Sequence, residues 1–316
     1  VRIVSADDID RTLSYPALID ALADAFGSDV VVPPRQHHTI AQDGRDATLL
    51  VMPAWHAGAA VAEERFIGCK LVGIFPDNAA RGEPSVTGSY LLMSATSGAP
   101  LAVMEARRLT AWRTAAASAL AARHLAREDA ATLAMVGAGT LAPFLVRAHR
   151  AVRPITKVLL WNRTRSRAIA TAFALANSGI ETEVADDLES AVKDADIVSC
   201  ATLSPAPLVK GEWLKKGTHL DLVGGFTPKM READDAAIKK ARVYVDTRTA
   251  LKEAGDLLQP IRRKVITATK IAGDLAELCR GEAKGRKKAD EITLFKSVGT
   301  AIEDLAAAAM VWRGLG

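Results

Sequence analysis

The stretch that most restricts the fold is ATLAMV (131–136), a short apolar run that passes straight into Gly137-Ala138-Gly139-Thr140-Leu141-Ala142 and then into a helix-forming segment. Strand, Gly-x-Gly-x-x-Ala turn and helix in this order form the dinucleotide fingerprint. Gly137 permits the tight turn, and Gly139, lacking a Cβ, lets a pyrophosphate approach the backbone. Ala142 keeps helix and strand close. The helix N-terminus then offers free N–H groups and a partial positive charge. A Gly-rich turn also serves packing alone, but here a second strand, KVLLWNR (157–163), follows at the required distance. Further short apolar runs at 132–136, 157–161, 181–184, 195–200, 218–223 and 242–245 alternate with helical segments. That alternation predicts βαβ units and a doubly wound parallel sheet.

The second strand should end at the adenosine ribose, where an NAD site usually carries Asp or Glu. This chain has Asn162-Arg163-Thr164-Arg165-Ser166-Arg167 instead. Read alone, the run is a solvated charged segment. At this position Arg163, Thr164 and Arg167 suit a 2′-phosphate, which guanidinium groups and hydroxyls bind and a carboxylate repels. The expected cofactor is NADP(H) by preference, with NAD(H) as second choice.

Before residue 109 the texture differs. Residues 5–26 read as a helix, with Leu18, Ile19, Leu22 and Phe26 at helical spacing. Segments 46–52, 66–74, 86–93 and 100–104 read as strands, with Pro53 and Gly58 in the first connection, so a mainly antiparallel sheet is expected. LTAWRTAAASALAARHLA (109–126) and the end of the chain from 296 read as Ala-rich helices, and GEAKGRKKADE (281–291) as a solvated loop. At 316 residues with 49% apolar content the chain suggests two domains with large cores. A surplus of +4, from 41 basic against 37 acidic residues, is too small to argue for a nucleic-acid or membrane partner and fits local sites for small anions. Cys69, Cys200 and Cys279 stand far apart without metal-ligand spacing, so neither zinc nor a disulfide framework is expected, and a cytoplasmic protein is.

Three cations lie outside the nucleotide-binding stretch: Arg35 after Pro33-Pro34, Lys70 in the apolar run FIGCKLVGI, and Arg113 at the start of the Ala-rich helix. Their plain readings are a surface arginine, a snorkelling lysine and a helix-surface arginine. For Lys70 that reading is strained, because a lysine among apolar strand residues usually has an anionic partner or a function. Convergence of the three would make a carboxylate pocket, which spacing alone does not establish. Glu253 and Asp256 in LKEAGDL (251–257) fit either a cleft or a helix end.

Taken together these motifs resemble those of the ornithine cyclodeaminase/mu-crystallin family. The matching pieces include PPRQH (33–37), LLVMPAW (49–55), KLVGIFPDN (70–78), LTAWRTAAASALAARHLA (109–126), VGAGTLA (136–142), VLLWNRTRSRA (158–168), ADIVSCAT (195–202) and FKSVGTAIEDLAAA (295–308). The resemblance implies an α/β protein in which a Rossmann domain (114–295) is inserted in a discontinuous α+β substrate-binding and dimerisation domain (1–113 with 296–316), assembled as a homodimer. It places Arg35, Lys70 and Arg113 around the substrate carboxylate. Ser85, Val86, Thr114, Thr140, Leu141, Asn162, Thr202, Val223 and Ser297 match cofactor-lining positions, and Val298 a position facing substrate. The WNRT stretch is similar to that of the NADPH-binding mu-crystallin branch.

One departure bears on the reaction. Cyclodeaminases carry a proton-exchanging Asp in a V-G-G-D-x-P loop, whereas here the loop reads Val223-Gly224-Gly225-Phe226-Thr227-Pro228. Phenylalanine exchanges no proton, and FTPKMREADD looks like the bacterial branch that reduces Δ1-pyrroline-2-carboxylate. The expected activity is therefore reduction of a cyclic ketimine carboxylate: Δ1-pyrroline-2-carboxylate to L-proline, and by extension Δ1-piperideine-2-carboxylate to L-pipecolate. Arg35 and Arg113 would clamp the carboxylate, and Lys70 would add charge and relay a proton. Thr110 and Ser85 would bond near the ring or serve ordinary capping and turn roles. A cyclodeaminase, an alanine dehydrogenase on the same scaffold, and a protein that holds NADPH or a ligand without turnover are the alternatives.

Overall fold

A computed structural model of the chain describes residues 1–57 and 65–316. The chain divides into two compact units, Val1–Thr114 with Thr300–Gly316, and Ala115–Gly299. In the first unit β1 (Arg2–Val4), β2 (Val30–Val31), β3 (Gln36–Ile40), β4 (Ala47–His56), β5 (Phe66–Ile74), β6 (Val86–Ser94) and β7 (Pro100–Glu105) form one sheet. Its order is β1-β7-β6-β5-β4-β2, with β3 also paired to β4. Only β1 and β7 run parallel; the remaining pairs are antiparallel.

Side chains alternate across such a sheet, and on β5 the inward set is Phe66, Gly68 and Lys70, all buried. The last helix, Ala301–Gly314, covers β4, β5 and β6 and packs against the helix Tyr15–Gly27. Gly68 makes that approach possible: a Cβ there would lie 1.8 Å from the Tyr90 hydroxyl and 3.0 Å from Leu305 Cδ1. The expected core positions Leu18, Ile19, Leu22 and Phe26 are buried. The 5–26 segment, however, is two helices. Ser5 and Asp8 close a capping box on Ala6–Thr12, Leu13 is extended, and Pro16 opens Tyr15–Gly27. Pro53 lies inside β4 rather than after it, between the residues that pair with β3 (up to Val51) and with β2 (from Trp55). A missing N–H interrupts no ladder on that side there. Gly58 falls outside the described residues.

The second unit is a parallel sheet of β8 (Thr132–Val136), β9 (Lys157–Trp161), β10 (Glu183–Val184), β11 (Ile197–Cys200), β12 (His219–Leu222), β13 (Arg242–Val245), β14 (Ile271–Asp274) and β15 (Thr293–Lys296). The order β10-β9-β8-β11-β12-β15-β13-β14 reverses direction between β8 and β11, the switch point where doubly wound sheets bind ligands. Central strands β11, β12 and β15 are buried on both faces, as parallel sheets require. The helix expected from 296 starts at Ala301, because Thr293–Lys296 pairs between β12 and β13.

The 281–291 segment is also not simply solvated. Arg286 donates to the carbonyls of Leu125, Gly217 and Glu291 at 2.7, 3.1 and 2.6 Å, and its backbone N–H bonds His124 O at 3.0 Å. The helix Ala106–Leu125 leaves carbonyls at its C-terminus that need donors, and the segment supplies them. Among the described residues no helix is long and apolar enough to cross a membrane.

Candidate active site

In the first unit the pairings Met52↔Lys70↔Tyr90↔Met104 form one row across β4 to β7, all facing the covered side of the sheet. Lys70 is 3% exposed and its Nζ lies 2.7 Å from Asp304 Oδ2. Arg113, 6% exposed, places Nε 3.0 Å from Asp304 Oδ1 and Nη1 2.5 Å from Glu303 Oε2. Lys70 and Arg113, drawn from a strand and a helix, thus share one carboxylate. Burial, then the neighbouring Arg113 charge, push Lys70 down to about 8, against the pull of Asp304. Four buried charges are tolerable only as pairs, and here two cations meet two anions. Glu303 and Asp304 went unnoticed in the sequence. Acids in a first helical turn are ordinary partners of the helix dipole, and nothing local marks them as buried.

Arg35 is half-buried just before β3. It directly precedes Gln36, which pairs with Val51 at the end of the β3–β4 ladder. Thr110, Arg113 and Thr114 fall at i, i+3 and i+4 on the helix Ala106–Leu125, hence on one face. Ser85 accepts Phe75 N–H through its carbonyl at 2.8 Å, and Val86 is an exposed start of β6.

In the second unit the loop after β8 has the form a dinucleotide needs. Gly137 sits at φ +110°, and a Cβ on it would lie 2.6 Å from Ala201 O. At Gly139 a Cβ would meet nothing within 4 Å, so the space beside it is open. The N–H groups of Thr140 and Leu141 take no acceptor among the described residues and head the helix Ala142–Val152. Asn162 ties this loop to the end of β9: its Oδ1 accepts from Ala138 N at 3.2 Å, and its Nδ2 donates to Thr164 O at 2.9 Å. Arg163, Thr164 and Arg167 are exposed beyond it, while Arg165 is ion-paired with Asp186. These residues fit a bound dinucleotide.

Thr202, Val223 and Ser297 occupy the loops at the carboxyl ends of β11, β12 and β15, held in register by Val223 N to Cys200 O at 2.8 Å and Ser297 N to Leu222 O at 3.1 Å. Val298 follows, and its N–H and that of Gly299 donate to Asp246 Oδ2 at 2.7 and 2.6 Å. Phe226 is 46% exposed. Asp221, the nearest acid on the preceding strand, is buried and engaged by Ser118, Ser199 and His149 at 2.9, 2.7 and 3.2 Å. Burial opposes its ionisation, but the bonds from His149 and Ser199 hold its carboxyl below the usual range. It cannot stand in for the missing acid at Phe226.

The sequence model of the ornithine cyclodeaminase/mu-crystallin family matches residues 2–315. The chain belongs to this family. Within it, the Δ1-pyrroline-2-carboxylate reductase of Colwellia psychrerythraea is 37% identical, over 98% of this chain and 97% of its own length. The Thermococcus litoralis Δ1-pyrroline-2-carboxylate reductase, solved with NADH and L-proline, superposes with a TM-score of 0.91 at 34% identity, covering 99% of this chain and 97% of that one. An archaeal alanine dehydrogenase dimer with bound NAD gives 0.89 at 30% identity, covering 99% and 95%. Solved structures named as a Δ1-pyrroline-2-carboxylate reductase and as an alanine dehydrogenase thus share this chain's fold over nearly its whole length.

Proposed function

We propose that this protein reduces cyclic ketimine carboxylates, Δ1-pyrroline-2-carboxylate to L-proline foremost and the six-membered analogue to L-pipecolate. It would act as a cytoplasmic homodimer that prefers NADPH and accepts NADH. The observation that carries the reading is the buried bridge of Lys70 and Arg113 through Asp304. It fixes a guanidinium fork and an ammonium group side by side, as recognition of a small carboxylate beside a basic nitrogen requires. With Glu303 and Asp304 included, that cluster pairs two cations with two anions; Arg35, which the family resemblance matches to a substrate-carboxylate position, is assigned there as a further cationic contact.

A bound nicotinamide supplies hydride to ring C2. The protein has to hold the ring and keep its nitrogen protonated, so that C2 is electrophilic and the product leaves as a secondary amine. Lys70, brought to about 8, exchanges a proton readily near neutrality. It passes one to the ring nitrogen, directly or through a water, while Asp304 keeps the side chain in place. Val298 is assigned to substrate on the strength of the family resemblance alone. Ser85, Val86, Thr114, Thr140, Leu141, Asn162, Thr202, Val223 and Ser297 line the dinucleotide, with Gly137 and Gly139 admitting its phosphates. Phe226 and the fully bonded Asp221 weigh against amine loss and cyclisation, which need a free acid–base group.

Oxidation of NADPH should follow addition of Δ1-pyrroline-2-carboxylate and stay at background with pyruvate plus ammonia. The reverse preference would make the protein an alanine dehydrogenase, and release of ammonia from ornithine without net cofactor change a cyclodeaminase. A second prediction concerns the cofactor. Replacing Arg163 and Arg167 together by Ala should weaken NADPH about tenfold or more, since hydrogen bonds to charged groups contribute about 1.5–3 kcal/mol each, and leave NADH unchanged. Equal effects on both cofactors would remove the 2′-phosphate from these arginines.

A further inference from the structure

Three charged side chains that the reaction does not use stand together in the second unit. Glu232, Asp256 and Lys296 are each wholly buried. Glu232 Oε1 accepts from the Thr202 N–H at 2.7 Å and its hydroxyl at 2.9 Å. Oε2 accepts from the N–H groups of Gly224 and Gly225 at 2.7 and 3.1 Å. One carboxylate therefore gathers four donors from the loops that follow β11 and β12. Asp256 Oδ1 fixes the backbone beneath it, accepting from Glu232 N at 2.8 Å and Ala233 N at 3.1 Å. Lys296, the last residue of β15, sets Nζ 3.4 Å from Asp256 Oδ2 and 3.8 Å from Glu232 Oε2. The loops press directly on this group. A Cβ on Gly224 would lie 1.9 Å from Thr202 O, and one on Gly225 2.5 Å from Asp256 Oδ2.

Loops at the carboxyl ends of parallel strands have no ladder beyond them, and ordering them on binding costs affinity. A carboxylate bonded to both loops removes that cost in advance. In a doubly wound sheet the loops after β8 and β9 serve one mononucleotide half, and those across the switch point serve the other. Thr202, Gly224 and Gly225 lie across it, in the loops that follow β11 and β12. We infer that Glu232, braced by Lys296 and Asp256, is a positioning residue that pre-forms the seat of the nicotinamide half of the cofactor. The inference rests on the dinucleotide reading above.

Glu232→Gln keeps the volume but turns one oxygen into an NH2 group that faces donors already present. Binding of NADPH and of 2′-phospho-ADP-ribose, which lacks the nicotinamide ring, is measured for each variant by calorimetry. NADPH affinity should fall at least tenfold while 2′-phospho-ADP-ribose binds as to wild type, and kcat should fall with the KM for the cyclic imine unchanged. Lys296→Met, which removes the brace and leaves Glu232 in place, should give the same split and serves if the first variant does not fold. Equal loss of both ligands, or loss of neither in a folded variant, overturns the inference and leaves Glu232 as a general stabiliser. If wild-type protein binds neither ligand, the dinucleotide reading itself fails.

Discussion

Lys70→Ala lowers turnover of the cyclic imine by about 10²–10³-fold, the order lost when one charge-stabilising donor leaves an active site, while NADPH affinity stays at the wild-type value. The same change takes from the buried Asp304 carboxylate the ammonium group 2.7 Å from its Oδ2 and leaves it Arg113 alone. Breaking a buried pair from one side costs about 3–5 kcal/mol of stability, so the variant should also melt at a lower temperature. Lys70→Met combined with Asp304→Asn removes both charges and separates the effects: most of the stability returns, because Asn still accepts from Arg113, and the turnover does not. The pH profile supplies a further check. The ammonium form of Lys70 is needed and is populated below about 8. Activity should therefore fall as pH rises through that value, and the alanine variant should lack this limb. A folded Lys70→Ala protein with wild-type kcat would remove Lys70 from the chemistry.

The two glycines of the phosphate turn should respond in opposite ways. Gly139 has open space where a Cβ would stand and no unusual φ, so Gly139→Val folds with an unchanged melting temperature. The added methyl groups occupy the path of the pyrophosphate and deny it the Thr140 and Leu141 amides. At about 1.5–3 kcal/mol for each hydrogen bond to a charged group, NADPH affinity falls by about 10²-fold or more. Gly137→Ala fails earlier. Its φ of +110° and the Ala201 carbonyl 2.6 Å from the new Cβ strain the fold itself, by about 1–3 kcal/mol for the backbone alone. Thermal melting beside a binding titration reads both outcomes. Tight NADPH binding by Gly139→Val would move the phosphates away from this loop.

What the sequence disclosed and what it hid follow from the range of the interactions. The phosphate turn was legible because its demands are local: Gly137, Gly139 and Ala142 each answer a steric need within a few residues. The paired strands from 66 to 105 were legible through their apolar runs. The strand Gln36–Ile40 was not, because every residue in it is exposed and no alternation marks it. β14 and β15 were missed as well, although β11 and β13 are no longer: Gly273 and Asp274 break the apolar run of β14, and β15 ends on Lys296. Lys70 drew attention as a charge in an apolar run, but its partner Asp304 lies 234 residues further on, and only folding brings the two together. Glu232 was hidden for the same reason, and Asp256 stood out only as half of an acidic pair that fitted a cleft or a helix end. Their spacing matches no motif, and their value lies in the amides they collect.

The segment from Lys296 to Asp304 holds the brace of one unit and the counter-ion of the other within nine successive residues. Asp246 pins the amides of Val298 and Gly299 between them, and Gly299 turns the chain at φ +77°. One carboxylate thus answers two successive amides where the chain leaves β15. A charged acceptor makes both bonds stronger than neutral ones, so the exit from the parallel sheet is set by a single side chain.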